Sequence, residues 1–287
     1  MNGKIVGIKY GVYFVDTENG IIESTARGLF RIKNIKPLVG DEVVLNEYKQ
    51  IVEIKNRKSE LIRPAISNID QMLIVTSLKE PEFSYHLCFK YLTYANLNNI
   101  PCSIIVTKID LIDDKHLIKE IKTTFDSVDV PVYFVSNKSK QGLSDVDMLF
   151  QNKVTCLMGQ TGVGKSSLLN YIDPNYKREI GEYSEVLHRG KHQTKEVMLL
   201  PFKNGYIADT PGFSSLDLKI FVEDLSKYFP KINKISKECY FNDCVHLNES
   251  NCAVKKALET KDLLPIVYDC YVKLCNESIY RKERFKK

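Results

Sequence analysis

The segment Gly159-Gln160-Thr161-Gly162-Val163-Gly164-Lys165-Ser166-Ser167 fits the phosphate-loop pattern G-x-x-x-x-G-K-[ST]. The apolar run 154–158 precedes it, and residues 167–172 have the composition of the first turns of a helix. Glycines let backbone N–H groups face phosphate oxygens, and a helix N-terminus adds its positive dipole end. We therefore expect a nucleotide site, with Lys165 at the β- and γ-phosphates and the Ser166 hydroxyl on Mg²⁺.

The sequence around this loop alternates apolar runs with helical patterns. Apolar runs that suit strands occur at 71–76, 103–106, 132–135, 154–158, 197–200 and 206–208, and helical patterns at 84–98 and 113–126. This alternation predicts a doubly wound α/β domain whose sheet is covered on both faces. Ligands of such domains bind beyond the C-terminal ends of the strands, so motifs that follow strands are candidates for one common site.

Two of these motifs suit recognition of guanine. Thr107-Lys108-Ile109-Asp110 follows the expected strand 103–106, in the pattern Asn/Thr-Lys-x-Asp of G-type NTPases. The Asp110 carboxylate can accept hydrogen bonds from N1–H and the amino group of guanine, a donor pair that adenine lacks. Lys108 would pack its stem over the base. After the next strand, Ser136 and Asn137 suit a second guanine-contacting loop.

Two further motifs suit the nucleotide-sensing switches. Asp209-Thr-Pro-Gly212 fits D-x-x-G, in which Asp209 would hold Mg²⁺ through water and the Gly212 N–H would sense the γ-phosphate. Thr194 is the best candidate for the switch I residue that closes on Mg²⁺. Many G proteins place a water-orienting Gln directly after D-x-x-G, where this chain has Phe213. We therefore expect slow intrinsic hydrolysis that waits on a partner.

The motifs come in an unusual order. An ordinary G domain begins with the phosphate loop and ends with the base motif, but here Thr107–Asp110 precedes Gly159. A sheet with helices on both faces can be opened at another loop if the old termini lie near each other, so the same site can form with permuted connectivity. The D-x-x-G motif then leads directly into the C-terminal region. A nucleotide-dependent shift at Gly212 could therefore move that region.

Residues 1–65 carry short apolar strands separated by turn residues. Five strands in about 60 residues predict a small closed barrel of the OB type. A basic group with one aromatic residue lies in this region: Arg27, Phe30, Arg31, Lys33 and Lys36. Such a group suits contact with a nucleic-acid backbone and stacking on a base, and a solvated loop accounts for it equally well.

Beyond Gly212 the pattern becomes helical, at 225–229, 253–260 and 265–280. Four soft ligands lie between these segments: Cys239, Cys244, His246 and Cys252. Three thiolates and one imidazole within a short loop suit tetrahedral, structural Zn²⁺ with no open coordination position.

The charge distribution and the apolar content limit the kinds of partner and the cellular compartment that we expect. The formal charge of +5 divides into +3 for residues 1–65, −2 for 66–218 and +4 for 219–287. Basic flanks favour a polyanionic partner, although a solvated surface would look the same. No apolar run approaches the roughly 20 residues that a bilayer requires, and no signal peptide opens the chain. We expect a cytoplasmic monomer without a membrane partner.

With its permuted motifs, barrel and metal cluster, the chain resembles the circularly permuted GTPases of the RsgA (YjeQ/YloQ) family over almost its whole length. The resemblance implies an OB-like RNA-binding barrel at 1–65, a permuted P-loop G domain at 66–218 and a helical zinc domain at 219–287. It implies hydrolysis of GTP to GDP with Mg²⁺, one structural Zn²⁺, and a role in late maturation of the small ribosomal subunit through rRNA binding, with hydrolysis stimulated by the subunit.

The resemblance also suggests how water is activated. His192 would replace the missing Gln, since an imidazole of pKa about 6.5 can orient or deprotonate water. Lys165, Ser166 and Mg²⁺ would stabilise the developing charge, with Thr194 closing on Mg²⁺. A surface histidine in a loop is the alternative. The chain departs from the family at Thr107, where Asn is commoner, and before Thr194, where the family has three consecutive threonines.

Two other classes of function stay open. One is a GTPase that acts on a non-ribosomal protein or membrane target, in which case the basic flanks are incidental. The other is an ATP-dependent P-loop enzyme, such as a kinase, that uses the same phosphate loop.

Overall fold

The computed structural model describes residues 1–28, 30, 35–62, 64–112, 114–176, 197–209, 216 and 218–278. Its strands are β1 (Asn2–Lys9), β2 (Val12–Thr17), β3 (Gly20–Ala26), β4 (Glu42–Leu45), β5 (Gln50–Ile54), β6 (Glu60–Ile62), β7 (Ala65–Ser67), β8 (Gln71–Ser77), β9 (Cys102–Thr107), β10 (Val132–Phe134), β11 (Val154–Met158), β12 (Met198–Phe202) and β13 (Gly205–Asp209). Its α-helices are α1 (Tyr85–Leu97), α2 (Lys115–Asp126), α3 (Leu143–Asp147), α4 (Lys165–Ile172), α5 (Val222–Leu225), α6 (Ile232–Ile235), α7 (Ala253–Glu259) and α8 (Pro265–Glu277).

These elements form two compact units that alternate along the chain. The first comprises Met1–Leu73, Leu143–Leu157 and Lys165–Phe213, and the second Ile74–Gly142, Met158–Gly164 and Ser214–Lys287. Within the described ranges, no helix has both the length and the apolar content that a membrane crossing needs.

The first unit contains the N-terminal barrel. Its strands pair in the closed circuit β1–β2–β3–β5–β4 and back to β1, with β3 and β5 parallel. This closed five-stranded sheet confirms the predicted OB-like barrel. The barrel core consists of Ile5, Val15, Phe30, Val43, Leu45 and Ile51.

One interpretation of the basic group in this barrel was wrong. Phe30 is only 8% exposed and packs in the barrel core, so its ring is not a surface on which a base could stack. A large apolar ring gains more from burial in the barrel than from a place in a polar loop. Arg31 and Lys33 lie outside the described residues.

A buried charge fixes the end of the barrel. Asp41 is fully buried and accepts hydrogen bonds from Arg57 Nε and Nη2, each at 2.7 Å, and from Ser67 Oγ at 2.6 Å. The Leu38 N–H donates to the same carboxylate at 2.8 Å. Because every donor converges on one carboxylate, the charge is compensated where it is buried. The β6–β7 hairpin, to which Ser67 belongs, is thereby joined to the barrel.

Strand β1 also belongs to a second sheet. Its first residues, Asn2 to Lys4, pair with β4, whereas Gly7 farther along pairs with Met198 of β12. In the same unit β12 is antiparallel to β13, and β13 is parallel to β11. The barrel is therefore hydrogen-bonded, strand to strand, to the strands that surround the phosphate loop in sequence.

The second unit contains strands and helices in α/β alternation, followed by the C-terminal helices. Its strands have the order β10–β9–β8, with β9 and β10 parallel. Helix α1 begins after Ser84, whose hydroxyl accepts from the Leu87 N–H, and α2 begins after Asp114, which accepts from two N–H groups of its first turn. The predicted helices 84–98 and 113–126 are confirmed.

Aromatic rings hold the C-terminal helices against α1. Phe89 of α1 stacks on Phe125 at 5.3 Å and on Phe229 at 5.2 Å, and Phe229 meets Tyr271 of α8 edge to face. The prediction of a helix at 225–229 was wrong, because α5 ends at Leu225. Pro230 follows Phe229 in sequence, and a residue before proline avoids the helical conformation.

Candidate nucleotide and metal sites

The phosphate loop has a backbone that only glycine can adopt. It lies between the end of β11 and the start of α4. Gly159 has φ of +144°, and a Cβ atom there would lie 2.0 Å from the carbonyl oxygen of Val75. Gly162 and Gly164 also have positive φ, of 84° and 95°. Glycine therefore suits these positions, in agreement with the phosphate-loop pattern, and the binding of phosphate there stays a prediction.

Lys165 and Ser166 open helix α4, directly after the loop. Burial lowers the pKa of Lys165, because its ammonium group has lost part of its hydration. A phosphate anion would compensate that loss. Ser166 and Ser167 are exposed, and no acidic residue occupies the first turn of α4. The positive end of the helix is therefore not neutralised by its own side chains.

Thr107 ties the base motif to the phosphate loop. Its side chain is buried, and its hydroxyl lies 2.5 Å from the Val163 carbonyl oxygen and 3.1 Å from that of Thr76. A hydroxyl has one proton, so the nearer carbonyl is the natural acceptor. The Thr107 hydroxyl thus supplies a hydrogen bond between the base motif and the phosphate loop.

The two predicted guanine-contacting loops lie together. Ser136 Oγ donates to Asp110 Oδ1 at 2.5 Å and accepts from the N–H groups of Lys138 and Ser139 at 3.2 and 3.0 Å. This chain of bonds orients one oxygen of the Asp110 carboxylate. The side-chain oxygen of Asn137 is buried with no hydrogen-bond partner among the described residues. A buried orphan acceptor in this loop suits a polar ligand.

The loop after β8 contacts the base motif, although the sequence gave no sign of it. Lys108 Nζ donates to the carbonyl oxygen of Glu80, and the Ser77 hydroxyl donates to that of Pro81 at 2.7 Å. Both contacts use backbone oxygens, which any residue type supplies, so no side-chain pattern could have revealed them. The first contact fixes the Lys108 ammonium group against this loop, and the packing of the Lys108 stem over a base stays a prediction.

The switch residues fall largely outside the described part of the chain. His192, Thr194 and Gly212 are all outside it. Asp209 is the last residue of β13, and the structure describes its backbone only. Their predicted roles stay predictions.

The structure brings the four predicted zinc ligands together. Their ligand atoms all lie within 4.8 Å of one another. His246 Nδ1 is 3.5 Å from Cys239 Sγ and 3.4 Å from Cys252 Sγ, and these two sulfurs are 3.9 Å apart. A tetrahedral ion with Zn–S of about 2.3 Å and Zn–N of about 2.0 Å separates such atoms by about 3.5 to 3.8 Å. The cluster fits Zn²⁺.

The protonation of these ligands also suits a metal. Burial lowers the pKa of His246, which keeps the imidazole neutral and able to coordinate. Burial raises the pKa of Cys244 to about 12 and that of Cys252 in the same direction. A bound metal must therefore displace thiol protons, so its affinity should rise with pH.

Glu249 organises the loop that carries the ligands, and the sequence did not single it out. One carboxylate oxygen accepts from the Val245 N–H at 2.9 Å, and the other from those of Leu247 and Asn248 at 2.9 and 3.1 Å. Burial would raise the pKa of Glu249, but these hydrogen bonds outweigh it and lower the pKa. Its position in the sequence, between the metal ligands His246 and Cys252, could have indicated this role.

Two tyrosines of α8 hold the same loop from the other side. The Tyr268 hydroxyl donates to the His246 carbonyl oxygen at 2.7 Å, and the Tyr271 hydroxyl to that of Val245 at 3.0 Å. His246 Nε2 is buried without a hydrogen-bond partner among the described residues. The imidazole is therefore placed through its backbone, whereas metal-bound histidines usually donate from the second nitrogen.

Comparisons with known proteins agree with this arrangement. Residues 2–51 match the RsgA N-terminal domain family, and residues 54–219 match the RsgA GTPase family. A protein of Halalkalibacterium halodurans named "Small ribosomal subunit biogenesis GTPase RsgA" is 41% identical over 99% of both chains. A Bacillus subtilis protein of the same name is also 41% identical, again over 99% of both chains.

Solved structures show the same fold. The crystal structure of YloQ, described as a circularly permuted GTPase, is 38% identical and superposes with a TM-score of 0.80 over 99% of this chain and 96% of YloQ. That of YjeQ from Thermotoga maritima is 31% identical, with a TM-score of 0.83 over 98% of this chain and 99% of YjeQ. Together with the Cys/His cluster seen in this chain, these structures confirm the expected barrel, permuted G domain and C-terminal helical region.

Thr107→Val tests the tie between the base motif and the phosphate loop. We expect the affinity for GDP to fall about tenfold, because the Val163 carbonyl loses its donor at a cost of about 1.4 kcal/mol. Isothermal titration calorimetry measures this affinity. Thr123→Val, on the exposed side of α2, is the matched control and should bind as the wild type does. Unchanged affinity in Thr107→Val would contradict the proposed tie.

Glu249→Gln tests the organisation of the metal loop. The side chain keeps its size, but its NH₂ group would face a backbone donor. We expect zinc affinity to fall about tenfold, as measured by competition with a chromophoric chelator. Glu259→Gln, at the exposed end of α7, should leave zinc affinity unchanged. Equal zinc retention in both variants would show that Glu249 has no such role.

Proposed function

Because the chain belongs to the RsgA family of GTPases, it is a GTPase, and we propose that it hydrolyses GTP to assist late maturation of the small ribosomal subunit. The observation that carries the proposal is the hydrogen-bonded association of the base motif with the phosphate loop, through Thr107 and Val163. The role in maturation of the small ribosomal subunit is suggested by the names of the relatives, which are 41% identical over 99% of their length.

The proposed chemistry divides among the motifs. Asp110, with Lys108, Ile109, Ser136 and Asn137 around it, selects guanine, and the loop 159–167 binds the phosphates. Lys165 stabilises charge that develops on the β- and γ-phosphate oxygens, and Mg²⁺ is held by Ser166 and Thr194. Asp209 reaches Mg²⁺ through water, and Gly212 senses the γ-phosphate. Phe213 cannot polarise water, so His192 positions the attacking water once the subunit is bound.

The flanking parts of the chain are proposed to hold rRNA. We keep the boundaries 1–65, 66–218 and 219–287 for the barrel, the G domain and the zinc domain. The barrel and the zinc domain carry the positive charge, and they would contact phosphates while GTP is bound and release them after hydrolysis. One structural Zn²⁺, held by Cys239, Cys244, His246 and Cys252, folds the last domain. The protein would act as a monomer in the cytoplasm, without a membrane partner.

A GTPase that acts on a non-ribosomal protein is the remaining alternative. Its basic flanks would then be incidental, and its association with ribosomal particles would not respond to the nucleotide. An ATP-dependent enzyme is no longer a candidate, because the family is one of GTPases.

Turnover of GTP with and without purified small subunits tests the proposal. We expect stimulation of at least tenfold, because a partner must complete a site that lacks the usual Gln. Raising the salt concentration should abolish the stimulation, since phosphate contacts weaken steeply with salt. Binding that is absent at low salt with a non-hydrolysable GTP analogue would favour a non-ribosomal target.

The same assay examines His192. His192→Ala should lose most of the stimulated turnover while it still binds GTP. His116→Ala, in helix α2, is the control and should be stimulated normally. Normal stimulated turnover in His192→Ala would remove the proposed role.

A further inference from the structure

We propose that Asp16 of the barrel and Tyr206 of β13 are positioning residues, which couple RNA binding at the barrel to the strand that ends at Asp209. The inference rests on the proposed function, because it concerns the reaction that the small subunit stimulates. The Asp16–Tyr206 pair would contribute to that stimulation.

The pair is a short, polar contact between elements far apart in sequence. The Tyr206 hydroxyl donates to Asp16 Oδ2 at 2.6 Å, and both residues are half-buried. An O–H donor on a carboxylate at this distance is a charge-assisted hydrogen bond, about twice as strong as a neutral one. Burial, and after it the bond to Asp16, raises the pKa of Tyr206, so the phenol stays protonated and remains a donor at any ordinary assay pH.

Strand pairing aligns this contact with Asp209. Met198 of β12 pairs on one side with Gly7 of β1 and on the other with Asp209. One line of backbone pairs therefore runs from the barrel to the residue proposed to hold the magnesium-bound water. Tyr206 lies three positions before Asp209 on the same strand. A movement of the barrel relative to β13 would act on both contacts together.

The start of β13 is closely packed against the residue before β11. A Cβ atom at Gly205 would lie 2.2 Å from the Lys153 carbonyl oxygen, and the Tyr206 N–H donates to that same oxygen at 3.0 Å. The backbone at Gly205 and Tyr206 is thus held tightly against the residue that precedes β11. We expect a displacement of the Tyr206 side chain by Asp16 to be felt along β13 towards Asp209, because the close packing at Gly205 leaves less room for movement at the start of the strand.

The test measures the ratio of subunit-stimulated to intrinsic GTP turnover in Tyr206→Phe and Asp16→Ala. We expect this ratio to fall about tenfold in each, which corresponds to about 1.4 kcal/mol of lost transition-state stabilisation. The loss should appear in kcat and not in KM for GTP. Asp16→Asn keeps an acceptor oxygen and should retain most of the ratio. The double variant should be no worse than either single variant, because both remove the same bond.

Tyr133→Phe, on strand β10, is the matched control and should keep the wild-type ratio. Melting temperatures within a few degrees of the wild type establish that the variants are folded. Wild-type ratios in folded Tyr206→Phe and Asp16→Ala, or equal losses in Tyr133→Phe, would overturn the inference alone. A wild-type protein that small subunits do not stimulate would overturn the proposed function and this inference together.

Discussion

Strand β1 pairs with two different strands along one edge, and the arrangement of the first unit depends on this double pairing. Its first residues close the barrel on β4, and Gly7 then pairs with β12. The pairing with β2 is irregular between Ile5 and Gly7, at the point where the partner on the other edge changes. Bulges of this kind bend a strand and increase its twist, which lets one strand serve a closed barrel and an open sheet. The edge of β12 is covered as a result, so it offers no free hydrogen-bonding groups to another chain at Met198.

A second constraint joins the base motif to residues 159–164 within the other unit. Thr107, at the end of β9, hydrogen-bonds to Val163 of the phosphate loop, and Gly159 of that loop closely approaches Val75 of β8, the strand between β9 and β11. Neither contact needs the motifs to be adjacent in sequence or in a given order. This explains in physical terms why a permuted chain can build the site of an ordinary G domain: the loops meet because parallel strands end at one edge of the sheet. The metal loop is also held by contacts to its backbone, which come from Glu249 and two tyrosines. A metal would in addition link the ligands at its two ends.

Much of this could be predicted from the sequence, because the phosphate loop, the base motif and the Cys/His cluster are local patterns with a defined chemistry. The barrel was also predictable, since its strands alternate with strong turn residues. The β1–β12 pairing was not, because it joins residues about 190 positions apart and leaves no periodic signal. Phe30 was misjudged because a basic neighbourhood suggested exposure, although ring burial decided its place. The Thr107 hydroxyl and the Lys108 ammonium group donate to the backbone oxygens of Val163 and Glu80. Every residue type has such an oxygen, so the sequence could not predict these contacts.

The line of backbone pairs from Asp209 through Met198 to Gly7 should make strand β1 sensitive to the nucleotide that is bound. Hydrogen–deuterium exchange of the amides at residues 5–8, compared between GDP and a non-hydrolysable GTP analogue with Mg²⁺, tests it most directly. Protection of these β1 amides should change with the nucleotide, in step with that of the β12 amides. Exchange in β1 that is identical in both nucleotide states, while β12 and β13 change, would contradict it.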